Sequence, residues 1–191
     1  MEFEIASFNG LLDMSDLADY KTGKAGLDKF IHEEAKNFEL ANRTALSIAY
    51  YKTTVVGVYA LSLTHAFVDN RNEHKKKAFG IDQYDRIPLI SLDHFSVKKE
   101  LQYDPSKKKS EQLDIGKNLL LSVYKSIVDI RNKYNVAIAG VVVEALDDAV
   151  DWYYKRGFDY ADDNEENQVN KESYSMIIGY AMIEEAYLKS L

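Results

Sequence analysis

The sequence predicts a mixed α/β domain with one sheet and helices packed on it. Three observations carry that expectation. Runs rich in β-formers alternate with segments of helical period along the chain. One of those segments, Ile115–Tyr134, repeats its apolar residues at three and four over five turns. The composition, 46% hydrophobic with 12% aromatic over 191 residues, is that of a packed globule long enough for a real core. A single domain over residues 1–191 is expected.

The elements follow in order. Met1–Phe8, with Phe3, Ile5 and Phe8, reads as a first strand. Leu11–Gly26 is polar with two glycines and reads as loop or broken helix. Leu27, Phe30, Ile31, Ala35 and Phe38 share one helical face. Ala45–Tyr51 and Val55–Leu63, split by Lys52-Thr53-Thr54, read as a hairpin. Asp69–Lys77 is highly charged and is expected as a surface excursion. Ile87–Val97 is a strand with Pro88 near its start, where a missing N–H is tolerated.

Lys98–Leu113 is polar and lysine-rich, and leads into the long helix. Leu120, Val123, Ile127, Ile130 and Tyr134 form its apolar stripe. Val136–Val143 is a near-continuous β-branched run, as in a strand buried on both faces. Asp147 is the expected N-cap of a helix through Arg156, with Gly157 at its C′ position. Ser173–Ile183 reads as the last strand and Glu184–Leu191 as a short terminal helix.

Several function classes fall away. No cysteine is present, which excludes a disulfide framework, thiolate-bound zinc and a cysteine nucleophile. The formal net charge of −7 argues against a general nucleic-acid binder, so nucleic acid is expected to be an unlikely partner. No apolar run reaches the roughly 18 residues of a membrane span, and no signal peptide is readable in MEFEIASFNG. The expectation is a cytoplasmic protein with no membrane partner. His32, His65 and His74 lack ligand partners at useful spacing, so no metal is expected.

The charge is unevenly placed. Glu144–Glu172 holds ten acids and three bases, while the rest of the chain is balanced at 21 of each. Lys98–Lys109 holds five lysines against Glu100 and Asp104.

Two units carry chemistry. The first is strand, polar loop, helix: IPLISLDHFSV, KKELQYDPSKKKSEQL, DIGKNLLLSVYKSIVDI. A helix N-terminus presents unpaired N–H groups and a positive dipole end, and so can hold an anion. Gly116 and Lys117 stand at that start. The second is VVVEALDDAVDWYYKRGF, a strand, a tight turn and a short helix closed by Gly-Phe. Its aromatics Trp152, Tyr153 and Tyr154 are core or boundary residues on the simplest reading. A phenol at a strand–helix crevice also keeps its proton at neutral pH and can donate it.

Together these units resemble the GNAT superfamily of acyl-CoA N-acyltransferases, over about Leu27 to Ile183. Val143 to Phe158 is similar, one position shorter, to the family's V-D-A-x-N/D-x-x-A-x-x-F-Y-x-K-x-G-F. Phe95-Ser96-Val97 fits the family's F-A-V strand end. Gln102, five residues on, fits the family's Gln or Arg. Ile115-Gly116-Lys117 fits the second glycine of Q-x-x-G-x-G. Asp114 replaces the first glycine, and eleven residues separate it from Gln102 where the family has two. Leu27–Leu63 looks like the front half of a bacterial subgroup.

The resemblance implies a single mixed, splayed sheet, with Ile90–Val97 and Val136–Val143 parallel and a V-shaped gap for the pantetheine arm. It implies acetyl-CoA as cosubstrate and direct acetyl transfer to an amine on a small molecule or protein. It assigns Tyr153 the proton donor's role. It assigns cofactor binding to Phe95, Ser96, Val97, Gln102, Ile115, Gly116, Lys117 and Asp147. Lys107–Lys109 would lie near the phosphates. Asp93, His94 and Glu144 are the candidate bases, and by strand alternation Asp93 and His94 face opposite sides. A homodimer is compatible with the resemblance. Two other readings stand beside it: a non-catalytic acyl-CoA-binding or protein-interaction module on the same fold, and a toxin-like acetyltransferase acting on charged tRNA.

Overall fold

The computed structural model describes residues 3–8, 14–69, 71–81, 85–165, 168 and 171–191. Met1 and Glu2 of the expected first strand, residues 11–13 of the expected loop, and residues 166, 167, 169 and 170 of the acidic segment lie outside them.

The strands are β1 (Glu4–Phe8), β2 (Ala45–Tyr51), β3 (Thr54–Val68), β4 (Asp85–Val97), β5 (Gly140–Leu146), β6 (Asp159–Tyr160) and β7 (Ser173–Gly179). They form one mixed sheet in the order β1-β2-β3-β4-β5-β7-β6. The helices are α1 (Ala25–Lys29), α2 (Ala35–Leu40), α3 (Glu73–Phe79), α4 (Ile115–Tyr134), α5 (Val150–Tyr154) and α6 (Tyr180–Leu188). The chain divides into two compact units, residues 1–62 with 93–123, and residues 63–92 with 124–191. None of the described helices is long and apolar enough to cross a membrane.

In the first unit, β1 pairs antiparallel with β2, and β2 with β3 through the expected hairpin. A π-helical turn, Phe30–Glu34, joins α1 to α2. It turns Ile31 into a core that also holds Leu17, Tyr20, Ala35, Leu46, Ile48 and Val58. The Leu46 N–H donates to the Glu39 carboxylate at 2.6 Å, tying the end of α2 to the start of β2.

In the second unit, β5 pairs parallel with β4 from Leu89–Gly140 to Leu92–Val143. It pairs antiparallel with β7 over all seven residues, and β6 adds to β7. The parallel β4–β5 pairing that the family resemblance implies is therefore present.

Three elements differ from expectation. The charged excursion after Asp69 contains α3. The Asn72 side chain accepts the Lys75 N–H at 2.8 Å as its N-cap, and Gly80 ends it in the left-handed region. The β-branched run after Val136 enters the sheet only at Gly140, because pairing with β4 and β7 begins there. The last strand stops at Gly179, and Tyr180–Leu188 is helical.

Candidate functional site

The first unit carries the end of β4 and the start of α4. Ser96 is buried and fixed from two sides. The Tyr20 hydroxyl donates to the Ser96 carbonyl at 3.0 Å and meets its hydroxyl at 3.0 Å. The His94 Nε2 shares a 2.8 Å hydrogen bond with the same hydroxyl. Phe30 of the π-turn stacks on the His94 ring at 4.9 Å. Phe95 and Val97 are half-buried on either side.

The alternation expected at β4 holds. Asp93 is exposed and accepts the Thr44 hydroxyl at 2.9 Å, whereas His94 is buried. Burial pushes the His94 imidazole down to about 4, against the opposing pull of the Asp28 carboxylate. A base must take up a proton in the working pH range, so His94 is poorly suited to that task.

This histidine makes stability pH-dependent. Its folded pKa lies below the unfolded value of 6.5. Between the two, the unfolded chain binds a proton that the folded chain refuses. Stability is therefore lost as pH falls from about 6.5 toward 4, by up to about 3 kcal/mol. Urea unfolding of His94→Gln is expected to show a flatter pH dependence over that window than the natural protein. Equal slopes would refute the assignment.

The polar loop after β4 is ordered by its own side chains. The Gln102 amide donates to the Val97 and Thr22 carbonyls, each at 2.9 Å, so this side chain closes the turn after the strand. The Gln112 amide donates to the Asp104 carbonyl at 2.6 Å and to the Lys107 carbonyl at 3.3 Å. Lys107 lies 3.8 Å from the Asp104 carboxylate, whose pKa the Ser106 hydroxyl and N–H help to hold below the usual range. Lys108 is exposed.

Asp114 precedes α4 with φ at +47°. A non-glycine residue there is strained by roughly 1–2 kcal/mol, the region where the resembling family places glycine. Its carbonyl accepts the Asn118 N–H and side-chain amide, both at 3.1 Å. Ile115 is buried, Gly116 half-buried and Lys117 exposed. The N–H groups of this first turn have no partner earlier in the helix.

The second unit carries the other motif. Asp147 is exposed and begins a 3-10 turn, Asp147–Ala149, that leads into α5. The N-cap of that turn is Leu146, without a side-chain cap bond, so Asp147 sits one residue inside the expected cap position. Gly157 has φ at +88°, as a C′ glycine should.

Tyr153 is buried. Its ring packs edge-on against Trp152 at 5.0 Å and Phe158 at 5.1 Å. Burial pushes its hydroxyl well above the ordinary phenol range; Tyr124 adds to this and Arg156 opposes it. The Arg156 guanidinium lies 3.7 Å above the Trp152 ring and donates to the Trp152 carbonyl at 2.8 Å. The Tyr124 hydroxyl is buried and has no hydrogen-bond partner among the described residues.

An open pocket of about 460 Å³ also lies in this unit. Glu144 lines it, together with Lys75, Ser91 and Ser175, which sequence reasoning missed. No local signal could find them, since with Glu144 they come from four separate elements. No group of three or more acids, histidines or cysteines suited to a metal occurs among the described residues.

No protein-family profile and no curated protein sequence matches the chain. Solved structures do. A bacterial toxin shares 14% identity at a TM-score of 0.76, over 100% of this chain and 97% of its own. A tyrosine-to-phenylalanine mutant of the AtaT toxin, bound to the C-terminus of the antitoxin AtaR and acetyl-CoA, shares 16% at 0.70, over 98% and 99%. The KacTA–DNA complex shares 18% at 0.66, over 98% and 99%. At these identities what is shared is the fold.

One expectation is corrected by this. Nucleic acid was expected to be an unlikely partner, yet a neighbour of this fold stands in a complex with DNA. The net charge of −7 averages over the whole chain. Contact with DNA needs only a local basic surface, or a basic partner in the same assembly.

Proposed function

We propose that this chain, which has the GNAT fold of the AtaT and KacT toxins, is an N-acetyltransferase that uses acetyl-CoA and acts beside an antitoxin-like protein partner. One observation carries the reading: the fold agrees over essentially the full chain with a toxin that binds both acetyl-CoA and an antitoxin segment.

The chain's own residues suit such a ligand. Its phosphates are anionic, and the first unit offers the N–H groups that open α4, with the exposed Lys117 beside them. Ile115 and Gly116 shape that turn. The end of β4, Phe95 to Val97, offers backbone groups held in place by Tyr20 and His94. In the second unit, the Tyr124 hydroxyl is buried without a hydrogen-bond partner among the described residues. Gln102 has the supporting task of bracing the strand end. Asp147 is exposed at the start of its turn.

Acetyl-CoA supplies an activated acyl carbonyl. In the transfer, a nitrogen–carbon bond to the acceptor forms and the carbon–sulfur bond breaks. The acceptor nitrogen loses a proton to a base or water, and the leaving sulfur gains one. Tyr153 is the donor for the sulfur: burial keeps its hydroxyl protonated throughout the neutral range. Asp93 and Glu144, both exposed carboxylates, are the remaining candidates to receive the acceptor's proton.

Calorimetric titration with acetyl-CoA tests the reading. Saturable binding in the range of roughly 1 μM to 1 mM is expected. Absence of heat up to about millimolar ligand would remove the enzyme reading and leave a protein-interaction module on the same fold.

A further inference from the structure

The pocket of the second unit has a definite chemistry. Its floor is one face of the sheet, since residues of alternate parity point to one side of a strand. Ser91 of β4 lies opposite Val142 of β5, which lies opposite Ile177 of β7. One step along the same face, Glu144 lies opposite Ser175. This gives an apolar centre of Val142 and Ile177 with hydroxyls and a carboxylate around it.

Lys75 of α3 forms part of the wall. That helix is held firmly. The Asn72 amide donates to the Ala161 carbonyl at 2.8 Å. The Asp163 carboxylate accepts the N–H groups of Glu73 and His74 at 3.1 and 3.2 Å. The His74 Nδ1 lies 3.1 Å from Asp159. Lys75 is therefore presented from a fixed support.

Two opposite charges line this one pocket without meeting. Among the described residues the Glu144 carboxylate accepts a long 3.5 Å contact from the Ser173 hydroxyl and feels the Lys171 ammonium through space. Neither Glu144 nor Lys75 is in a salt bridge among the described residues. Two such charges, set apart around an apolar centre, are complementary to a ligand with the same three parts in opposite sign.

We propose that this pocket binds a zwitterionic group, with a primary ammonium against Glu144, an anion against Lys75 and an aliphatic segment over Val142 and Ile177. Resting on the transfer reading above, the ammonium of that group is the acetyl acceptor, and Glu144 is the residue that selects it.

The experiment uses 5-aminopentanoate as probe, with pentylamine and pentanoate as its single-charge counterparts, titrated into the full chain at pH 7 and low salt. The zwitterion is expected to bind about tenfold more tightly than either counterpart, the size of one charge-assisted hydrogen bond. Glu144→Gln is expected to cancel its advantage over pentanoate. Lys75→Met, which keeps the aliphatic stem, is expected to cancel its advantage over pentylamine. Equal binding of the three probes, no binding of any, or an unchanged order in both variants would overturn the proposal. Acetyl-CoA titration of the same samples separates the two readings. Zwitterion binding without acetyl-CoA binding leaves the pocket standing and removes the transfer; the reverse removes the pocket alone. Thermal melts of both variants are expected to match the natural protein, because neither side chain belongs to the buried core.

Discussion

Tyr153→Phe is expected to lower kcat by about 10²-fold or more while leaving acetyl-CoA affinity within about twofold, in keeping with the usual worth of a positioned acid. The ring stays where it is. Phenylalanine keeps the edge contacts with Trp152 and Phe158 and nearly the same volume, so the core loses little. What leaves is a hydroxyl whose pKa burial has raised, and which therefore holds its proton across the neutral range. On the proposed role, losing only the proton donor slows collapse of the intermediate and spares ground-state binding. The next residue serves as control. Tyr154 is 60% exposed, and Tyr154→Phe is expected to change neither constant. A kcat unchanged in the Tyr153 variant, or lowered equally in both, would take Tyr153 out of the mechanism.

Gly179→Ala is expected to destabilise the protein by about 3 kcal/mol or more, at the upper end of overpacking effects. A Cβ there would lie 1.9 Å from the Ala78 carbonyl oxygen and 3.0 Å from its carbon. Both obstacles are backbone, so no side chain can swing aside. Across the sheet, Gly179 pairs with Gly140, where a Cβ would come 2.2 Å from the Ile178 carbonyl oxygen. The two glycines leave the sheet bare so that the end of α3 can press directly on it. In a chain of this size the melting temperature should fall by about 6–12 °C. Gly26→Ala is the contrast. Nothing lies within 4 Å of its added carbon, and it stands in α1, where alanine is favoured by roughly 0.5–1 kcal/mol. A melting point no lower for Gly179→Ala than for Gly26→Ala would show that α3 does not rest there.

Legibility of the fold follows the range of the forces involved. Helix α4 begins and ends at the residues its periodicity gave, Ile115 and Tyr134. Its stripe buries Leu120, Val123 and Ile127, while Tyr134 at its end is exposed, beyond the reach of the core. The β2–β3 hairpin and the left-handed Gly157 were equally readable. Misplaced elements are those that neighbours decide. Val136 has the β-branched character of a strand but is exposed, because no partner strand reaches it. The apolar run Met176–Ile183 suits strand or helix. It changes from one to the other at Gly179, whose bare backbone lies against Ala78. Helix α3 was hidden by its charge, although its Asn72 cap and Gly80 terminator were in plain view.

For the site, the α5 motif with Tyr153 and the α4 start with Gly116 were legible, since each lies within one short stretch of chain. Their chemical tasks are proposals that titration and kinetics must decide. Gln102 illustrates the limit: its spacing was readable, but its use in bracing the Val97 and Thr22 carbonyls was not. The mixed α/β class, the long helix and the strand–turn–helix around Tyr153 were determined by the sequence alone, because periodicity, capping and turn chemistry act between residues a few positions apart. Only the tertiary structure decided that Lys75, Ser91, Glu144 and Ser175 share one pocket. Strand order and register brought them together, and those depend on contacts between residues scores of positions apart, which no local pattern encodes.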